Sequence, residues 1–375
     1  MVRIRRGKAP GCSDQAINNL REGKLMKGIS RRDFMKLCAG SVAAVSLSQA
    51  LMPELARAVP AAGNPPVLWI QGASCTGCSI SLLNSAQPGV KEILTEIISL
   101  KFHPNVSAAA GDLAMKVIEE TESAGKFYLV VEGAVPTKDG GIYCTVGERD
   151  GKEITFLDRV KELGSKADAV LAVGTCSAFG GIPAAKPNPT GCKSVSEVFN
   201  EAGIKTPVIN IAGCPPHPDW IIGSLAHVLL FNEIPELDQT GRPKVFYGKV
   251  VHENCPRRQY FDASKFARNF SEEGCLLEIG CKGPLAHCDS FDRQWNNGTN
   301  WCIKAGAPCI ACTEKGFPGC AVPFYERMEG VPLPNITASA DAVGAVLGAA
   351  VVAGIGAHLI GNLATGRLGK KDKEG

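Results

Sequence analysis

The sequence has little net charge, and it lacks a glycine-rich loop for phosphates. Its 40 lysines and arginines nearly balance its 37 aspartates and glutamates, which leaves a formal net charge of +3. Such a balance gives no general attraction for polyanions, so a nucleic-acid partner is not indicated. The first apolar strand is followed by "GASCTGC" instead of a phosphate-binding glycine pattern. Neither a nucleotide nor a flavin is therefore indicated there.

Cysteine, by contrast, is abundant. The chain has 16 cysteines in 375 residues, a length that allows two globular domains with sizeable cores. Disulfides and metal sites both explain a high cysteine count. The spacing of the cysteines along the chain must separate the two.

The first 58 residues read as an export signal. "SRRDFMK" (Ser30 to Lys36) precedes a mildly apolar run, and "ARA" (Ala56 to Ala58) offers small residues for cleavage after about Ala58. This order predicts a twin-arginine signal over residues 1–58, although an arginine pair before an apolar run also arises by chance. Because this route carries folded proteins with cofactors inserted, it fits a metal protein better than a disulfide protein.

The last part of the chain, residues 334–375, is predicted to be a membrane anchor. Residues 342–366 carry no formal charge, and about 20 apolar residues suffice to span a bilayer as a helix. Gly344 and Gly348 have the spacing that lets two membrane helices approach closely. Basic residues after the run, from Arg367 on, predict a cytoplasmic C-terminus and place the body outside. A buried core helix is the alternative.

The middle of the chain predicts an α/β fold. Apolar runs at residues 67–72, 128–133, 169–174 and 208–213 each end in glycine, and residues 96–102 predict a further strand. Continuous apolar runs are typical of strands that are buried on both faces. Intervening segments such as 194–202 and 219–232 have helical length and period. We therefore expect a doubly wound parallel sheet.

Cysteines follow three of these strands. They are Cys75 and Cys78 after the first strand, Cys176 after residues 169–174, and Cys214 after residues 208–213. Ligands in such sheets bind at the carboxyl ends of the strands. Four thiols at one edge of a sheet predict a metal site, which we call the proximal set.

After about Pro243 the alternation of strands and helices stops, and potential ligands crowd a segment rich in glycine and proline. Eight such residues divide into two sets of four. The "NWCIKAGAPCIAC" loop and one upstream cysteine give the medial set: Cys288, Cys302, Cys309 and Cys312. The remainder form the distal set: His252, Cys255, Cys275 and Cys281.

Such sets of four residues can bind either zinc or an iron–sulfur cluster. Four cysteines, or three cysteines and a histidine, also suit zinc. Three closely placed sets favour iron–sulfur clusters, because these conduct electrons whereas zinc has no redox chemistry.

Short motifs along the chain resemble the small subunits of nickel–iron hydrogenases. In order they are "CTGC", "GTCSAFGG", "NPTG", "GCPPHP", "HENCPRR", "GCKGP" and "GAPCIAC". The resemblance runs from signal to anchor. It implies a flavodoxin-like domain over residues 59–242, an iron–sulfur domain over residues 243–333, and a large-subunit partner that carries the nickel–iron centre.

The resemblance also implies a cofactor for each set. The proximal and distal sets would each hold a 4Fe-4S cluster, and the medial set would hold a third cluster. The implied activity is the oxidation of H2 to protons and electrons on the partner, with electrons passing through this chain. The implied acceptor is a membrane cytochrome or another quinone-linked acceptor, reached from the periplasmic face of the membrane.

Three departures from the common family pattern carry expectations. Many relatives have proline where Cys302 stands, and hold a three-iron medial cluster, so Cys302 predicts a four-iron cluster. Ile80 replaces a frequent glutamate, which together with Cys302 resembles the selenium-containing branch. Gly77 and Gly181 stand where oxygen-tolerant members have extra cysteines, so an oxygen-sensitive enzyme is expected.

Two other functions remain open at this point. One is a zinc-stapled, membrane-anchored interaction protein, and the other is the iron–sulfur subunit of a quinone-linked oxidoreductase. Three mature cysteines outside the sets, Cys144, Cys192 and Cys320, are expected to be free. His217 is expected to cap or orient its loop, and His287 is a weaker candidate ligand. His358 lies in the predicted anchor.

Overall fold

The computed structural model describes residues 65–86, 89–327, 331–333, 336–338 and 340–364. The predicted export signal and the C-terminal tail after residue 364 lie outside these ranges. The chain divides into two compact units, one ending at Glu326 and the other beginning at Arg327. The predicted boundary at Pro243 falls inside the first unit, and both predicted domain boundaries remain predictions.

The strands, in chain order, are β1 Pro66–Gln71, β2 Ser99–Phe102, β3 Tyr128–Glu132, β4 Val135–Pro136, β5 Thr145–Arg149, β6 Lys152–Thr155, β7 Ala169–Val173, β8 Cys192–Lys193, β9 Val208–Ile211, β10 Val331–Leu333 and β11 Ile336–Ala338. Five of them form one parallel sheet in the order β2-β1-β3-β7-β9. Counted within the sheet, this is the flavodoxin-like order 2-1-3-4-5. The order reverses between β1 and β3, which is where such sheets bind ligands.

The helices are α1 Gly77–Leu83, α2 Val90–Glu92, α3 Asp112–Ala124, α4 Phe156–Lys166, α5 Thr175–Phe179, α6 Val195–Ala202, α7 Pro218–Phe231, α8 Lys244–Tyr247, α9 Val251–Asn254, α10 Arg258–Asp262, α11 Ser290–Arg293 and α12 Ala340–Ala364. A π-helical turn, Ile93–Ile97, continues α2, and 3₁₀ turns cover Lys138–Gly141 and Leu276–Ile279. Ser194 starts α6 with a capping box to Glu197.

Each face of the sheet carries its own core. Successive residues of a strand point to opposite faces, so Val67 and Trp69 of β1 join one core while Leu68 and Ile70 join the other. Helices α3, α4 and α6 cover the second face, and α7 covers the first. With both faces covered, the prediction of a doubly wound parallel sheet is confirmed.

The cysteine-rich segment shares the first of these cores. Its buried apolar residues, Ala267, Leu276, Ile279, Ala286, Trp301, Ile303 and Ala311, belong to the same cluster as Trp220 and Leu225 of α7. A segment with few apolar residues is thus packed on an existing core instead of building one. This packing brings its cysteines near the sheet edge.

One predicted strand is shorter than expected. Residues 96–102 were expected to be extended, but the strand covers only Ser99–Phe102, and the π-helical turn takes the residues before it. Ile93, Ile97 and Ile98 are all buried. A short, continuous apolar run fits a buried helix and a buried strand equally well, which explains the error.

The second unit holds an antiparallel pair, β10 with β11, and the 25-residue helix α12. Across the described ranges, no helix combines the length and the apolar character needed to cross a bilayer.

Candidate functional site

The four cysteines of the proximal set lie together at the carboxyl edge of the sheet. Cys75 and Cys78 follow β1 and enter α1, Cys176 lies in α5 after β7, and Cys214 follows β9. The pKa of the Cys78 thiol is raised well above its usual value, first by burial and then by Glu132 and the other three thiols. All four thiols are therefore within electrostatic range of one another.

Two glycines pack closely against these sulfurs, and at Gly174 the close approach requires glycine. A Cβ on Gly174, the residue that ends the β7 loop at φ +92°, would lie 2.5 Å from Sγ of Cys78. A Cβ on Gly77 would lie 3.2 Å from Sγ of Cys75. The glycines in "VGTC" and "CTGC" thus make room for the thiols themselves.

Gly181, the other position linked to oxygen tolerance, is equally confined. Its φ is +52°, and a Cβ there would lie 2.8 Å from the backbone nitrogen of Cys176. A cysteine at this position would require the backbone of the loop to shift. This local conformation supports the expectation of a proximal set with four thiols only.

Glu132, at the end of β3, is a fully buried carboxylate beside the proximal set, and sequence reasoning missed it. Its Oε2 accepts hydrogen bonds from Trp69 (3.1 Å), Gln71 (2.9 Å) and the Ser79 hydroxyl (2.5 Å). Its Oε1 accepts from the Ser74 hydroxyl at 3.2 Å and from the backbone N–H of Cys78 at 3.2 Å. The available signal was a charged residue that ends an apolar strand in "YLVVEG".

A buried histidine extends this network. The N–H of Asn105 donates to Nδ1 of His103, so Nε2 carries the proton in the neutral ring and donates to the Ser79 hydroxyl at 3.0 Å. Burial lowers the pKa of His103, which favours that neutral form. The loop that carries Cys78 is thereby held through Glu132 and Ser79.

The medial set also converges. Burial raises the pKa of Cys288 to about 12, with Cys302 among the smaller contributions. The pKa of Cys309 is raised first by burial and then by the Cys288, Cys281 and Cys312 thiols. The Cys312 thiol interacts with Cys288 and Cys302. Cys302 is exposed, whereas Cys288 is buried.

The distal set converges around Gly283. Burial raises the pKa of Cys255, and the Cys281 and Cys275 thiols add to it. A Cβ on Gly283 would lie 3.4 Å from Sγ of Cys281 and 3.7 Å from Cβ of His252. Burial and then Arg258 lower the pKa of His252, which favours the neutral imidazole that a metal requires.

Hydrogen bonds link the three sets in a fixed order. The hydroxyl of Thr175, the residue before Cys176 of the proximal set, donates to the carbonyl oxygen of Cys312 in the medial set. The N–H of Cys309, in the medial set, donates to Sγ of Cys281 in the distal set, with an N···S distance of 3.3 Å. The sets therefore follow one another as proximal, medial and distal.

Many of the sulfurs accept backbone N–H groups, as thiolates bound to iron do. Arg257 N–H donates to Cys255 and Ala311 N–H to Cys309, both with N···S distances of 3.4 Å. Burial raises the thiol pKa values, so the thiolate form needs a compensating positive charge. A donor set of buried sulfurs with N–H groups aimed at them fits iron–sulfur clusters. Among the described residues, no group of three or more His, Cys, Asp or Glu side chains is arranged to hold a single metal ion.

Two buried arginines join the segments that carry the sets. Arg242 donates to Asp238 (2.8 Å), to Glu314 (3.0 Å) and to the carbonyl of Thr313 (2.8 Å), next to Cys312. Arg293 of α11 pairs with Asp289 at 2.6 Å and with Asp219 of α7 at 2.9 Å. Neither arginine is recognisable from the sequence, because each is a single charge in a loop-rich region.

Histidines and cysteines outside the sets have other surroundings. His217 caps α7, as expected: the N–H of Asp219 donates to its Nδ1, and its Nε2 lies 2.9 Å from the carbonyl oxygen of Gln294. Nδ1 of His287 lies 3.4 Å from Glu314. Of the three cysteines outside the sets, Cys192 is buried, Cys144 is half-buried and Cys320 is exposed.

The sequence matches two families of known proteins. Residues 75–228 match the family described as NADH ubiquinone oxidoreductase, 20 Kd subunit. Residues 247–325 match the family described by the C-terminal part of the NiFe/NiFeSe hydrogenase small subunit. The second match covers the region that holds the medial and distal sets.

Individual relatives extend these matches over nearly the whole chain. The periplasmic [NiFeSe] hydrogenase small subunit of Desulfomicrobium baculatum is 48% identical over 311 residues, covering 79% of this chain and 98% of the relative. The quinone-reactive Ni/Fe-hydrogenase small chain of Wolinella succinogenes is 37% identical over 361 residues, covering 93% and 98%. The crystal structure of a reduced, active form of the D. baculatum Ni-Fe-Se hydrogenase superposes with a TM-score of 0.69 and 48% identity, covering 71% of this chain and 100% of that one.

Proposed function

We propose a function for this chain on the basis of its family. The chain belongs to the small subunits of nickel–iron and nickel–iron–selenium hydrogenases. It is the electron-transfer subunit of a hydrogenase that oxidises H2 to protons and electrons. The nickel–iron centre lies on a large-subunit partner, and this chain passes the electrons to an acceptor.

The residues of the three sets are the proposed cofactor ligands. Cys75, Cys78, Cys176 and Cys214 hold the proximal 4Fe-4S cluster; Cys288, Cys302, Cys309 and Cys312 hold a medial 4Fe-4S cluster; and His252, Cys255, Cys275 and Cys281 hold the distal 4Fe-4S cluster. Iron–sulfur clusters supply one-electron redox chemistry. The surrounding N–H donors, such as those of Arg257 and Ala311, stabilise the negative charge of the thiolates.

One observation carries the proposal: the three sets are contiguous. The Thr175 hydroxyl, next to Cys176, donates to the Cys312 carbonyl, and the Cys309 N–H donates to the Cys281 thiol. A chain of neighbouring one-electron sites is what electron transfer through a protein needs, whereas structural staples gain nothing from such an order.

The complex with its large subunit tests this. Anaerobically purified complex should be brown, should contain slightly more iron than sulfide because the nickel–iron centre adds iron, and should bleach under H2 without added reductant. A colourless, zinc-containing chain would support the interaction-protein alternative and overturn the proposal. Bleaching by dithionite but not by H2, with no nickel in the complex, would favour the quinone-linked alternative.

The two alternatives have less support. The quinone-linked alternative shares the proximal region, since residues 75–228 match an NADH ubiquinone oxidoreductase family. Residues 247–325, with the medial and distal sets, match the hydrogenase family instead. The continuous order of the sets favours electron transfer over a zinc staple.

Oxygen sensitivity is part of the proposal. With glycine at positions 77 and 181 the proximal set has no further thiol beside it, as Gly77 and Gly181 both pack on cysteines of the set. Hydrogen-oxidising current on an electrode should fall in trace oxygen without fast recovery. Sustained current in air would contradict this.

Export and anchoring complete the proposal. We infer that residues 1–58 are a twin-arginine signal and that residues 342–366 anchor the chain to the periplasmic face of the membrane, near a membrane cytochrome or another quinone-linked acceptor. Support comes from the charge-free run, and from relatives whose names include periplasmic and quinone-reactive forms. Replacing Arg31 and Arg32 by lysine should leave the uncleaved precursor in the cytoplasm; normal export of that variant would refute the signal.

A further inference from the structure

Thr175 occupies a central position between the proximal and medial sets. It follows Gly174 at the end of β7, precedes Cys176 and is only 1% exposed. Its hydroxyl donates to the carbonyl oxygen of Cys312 and accepts the N–H of Gly213 at 2.8 Å. Its own N–H donates to the Gly213 carbonyl at 2.9 Å.

These bonds tie together three predicted cluster ligands. Cys176 is the next residue, Cys214 follows Gly213, and Cys312 is bonded directly. One buried hydroxyl is therefore shared by segments of both sets that meet at the proximal-to-medial junction.

Two neighbouring hydrogen bonds stabilise the loops around Thr175, but neither of them links the proximal and medial sets. Arg242 holds the next carbonyl, that of Thr313, at 2.8 Å, and the Tyr247 hydroxyl holds the Ala212 carbonyl at 2.7 Å. Each fixes one loop to residues outside the two sets. Only the Thr175 hydroxyl, among these three side chains, bonds to loops of both sets.

We propose that Thr175 is a positioning residue whose hydroxyl fixes the separation between the proximal and medial sets. The inference rests on the proposed electron-transfer function. Electron transfer between two sites slows steeply as their separation grows. A larger separation between the proximal and medial sets would therefore slow electron transfer through the whole protein. Precise support of this kind comes from side chains that are themselves fully bonded and packed.

The test compares three variants in the assembled complex with the large subunit. Thr175→Val keeps the shape and removes the hydroxyl, which leaves the Cys312 carbonyl and the Gly213 N–H without it. Thr175→Ser keeps the hydroxyl. Ser177→Ala is the matched control, because Oγ of Ser177 is buried on the same helix and has no hydrogen-bond partner among the described residues.

Four measurements are made on each complex: iron and sulfide content, H2-dependent dye reduction, hydrogen–deuterium exchange of H2, and the magnetic coupling between the proximal and medial clusters by EPR. Exchange needs only the partner's centre and should not change. We expect Thr175→Val to weaken the coupling and to slow H2-dependent dye reduction several-fold at full cluster content. The serine variant and the alanine control should behave as the wild type does.

The outcomes separate the two levels of the proposal. If the wild-type complex lacks the clusters or H2-dependent dye reduction, the proposed function fails. If the wild type performs as expected but the valine variant keeps full coupling and rate, only the role of Thr175 fails. Equal losses in the serine variant or the Ser177 control also overturn it. If only the valine variant loses clusters while the serine variant stays normal, the result still supports a need for the Thr175 hydroxyl at this junction.

Discussion

Glu132 is not a proposed ligand, but its replacement should disturb the proximal set. Both of its oxygens accept hydrogen bonds from buried or half-buried donors, among them Trp69 and Ser79. In Glu132→Gln an amide NH2 replaces one oxygen and faces donors. We expect a loss of about 1–3 kcal/mol in the free energy of unfolding, the usual penalty for an unsatisfied buried polar group.

The measurement is the thermal melting of the assembled complex, with Glu148→Gln as control, since Glu148 is exposed on β5. The control should melt as the wild type does. A Glu132→Gln complex with an unchanged melting temperature would show that the network tolerates a donor in place of the oxygen.

In the proposed assignment, Cys302 is the fourth thiolate that makes the medial cluster a four-iron cluster. It is exposed, yet it interacts with the thiols of Cys288 and Cys312. Cys302→Ala should leave three thiolates, so the oxidised complex should lose an iron and gain a three-iron EPR signal. Cys320→Ala is the matched control, because Cys320 is also an exposed thiol of this segment. A strong three-iron signal in the wild type would contradict the four-iron assignment.

Residue types differ in how far the sequence reveals them. Cysteines at strand ends are visible because spacing and strand pattern alone predict Cys176 and Cys214 at one sheet edge. Glu132 and Thr175 are not visible in this way. Their roles arise from partners more than 50 residues away, such as Cys78 for Glu132 and Cys312 for Thr175, and the sequence contains no record of those pairings.

At the scale of elements, the junction of α7 and α11 depends on Arg293. Its guanidinium pairs with Asp289, which is 3% exposed and also accepts from Trp220. Arg293→Gln leaves the Asp289 carboxylate buried without its cation. We expect a loss of about 3 kcal/mol in the free energy of unfolding, as for other buried pairs that lose one partner.

Arg258→Gln is the control for this change, since its partner Asp262 is exposed and such pairs contribute about 0–1 kcal/mol. Melting temperatures of the two variant complexes give the comparison. Similar melting of both would show that Arg293 is not an important link between the two helices.

Periodicity predicted the five strands of the sheet but not every boundary. The four glycine-terminated runs are strands because each is a continuous apolar segment of strand length. The run before β2 is also apolar, but Ile93–Ile97 forms a π-helical turn. In this run, the buried side chains of Ile93 and Ile97 can pack into the same core whether the backbone is a helix or a strand. The packing of neighbouring elements therefore determines which of the two forms.

At the scale of the whole molecule, the first unit depends on one shared core. The cysteine-rich segment contributes Trp301 and Ile303 to the core on one face of the sheet. The loops of the cysteine-rich segment are therefore positioned by their packing on the sheet and by the hydrogen bonds at the segment's ligand residues. This explains how a loop-rich segment keeps the medial and distal sets in a fixed order after the proximal set.

The proposed anchor gives the last prediction. A chain ending after Glu326, where the first unit ends, lacks residues 342–366. If these residues hold the protein on the membrane, the full-length complex should sediment with membranes and resist carbonate extraction, while the shortened complex should be released. The released complex should still reduce a soluble dye under H2, because the three sets lie before Glu326, but it should no longer reduce the membrane quinone. A full-length complex that carbonate extracts as readily as the shortened one would rule out the anchor and leave the electron-transfer function untouched.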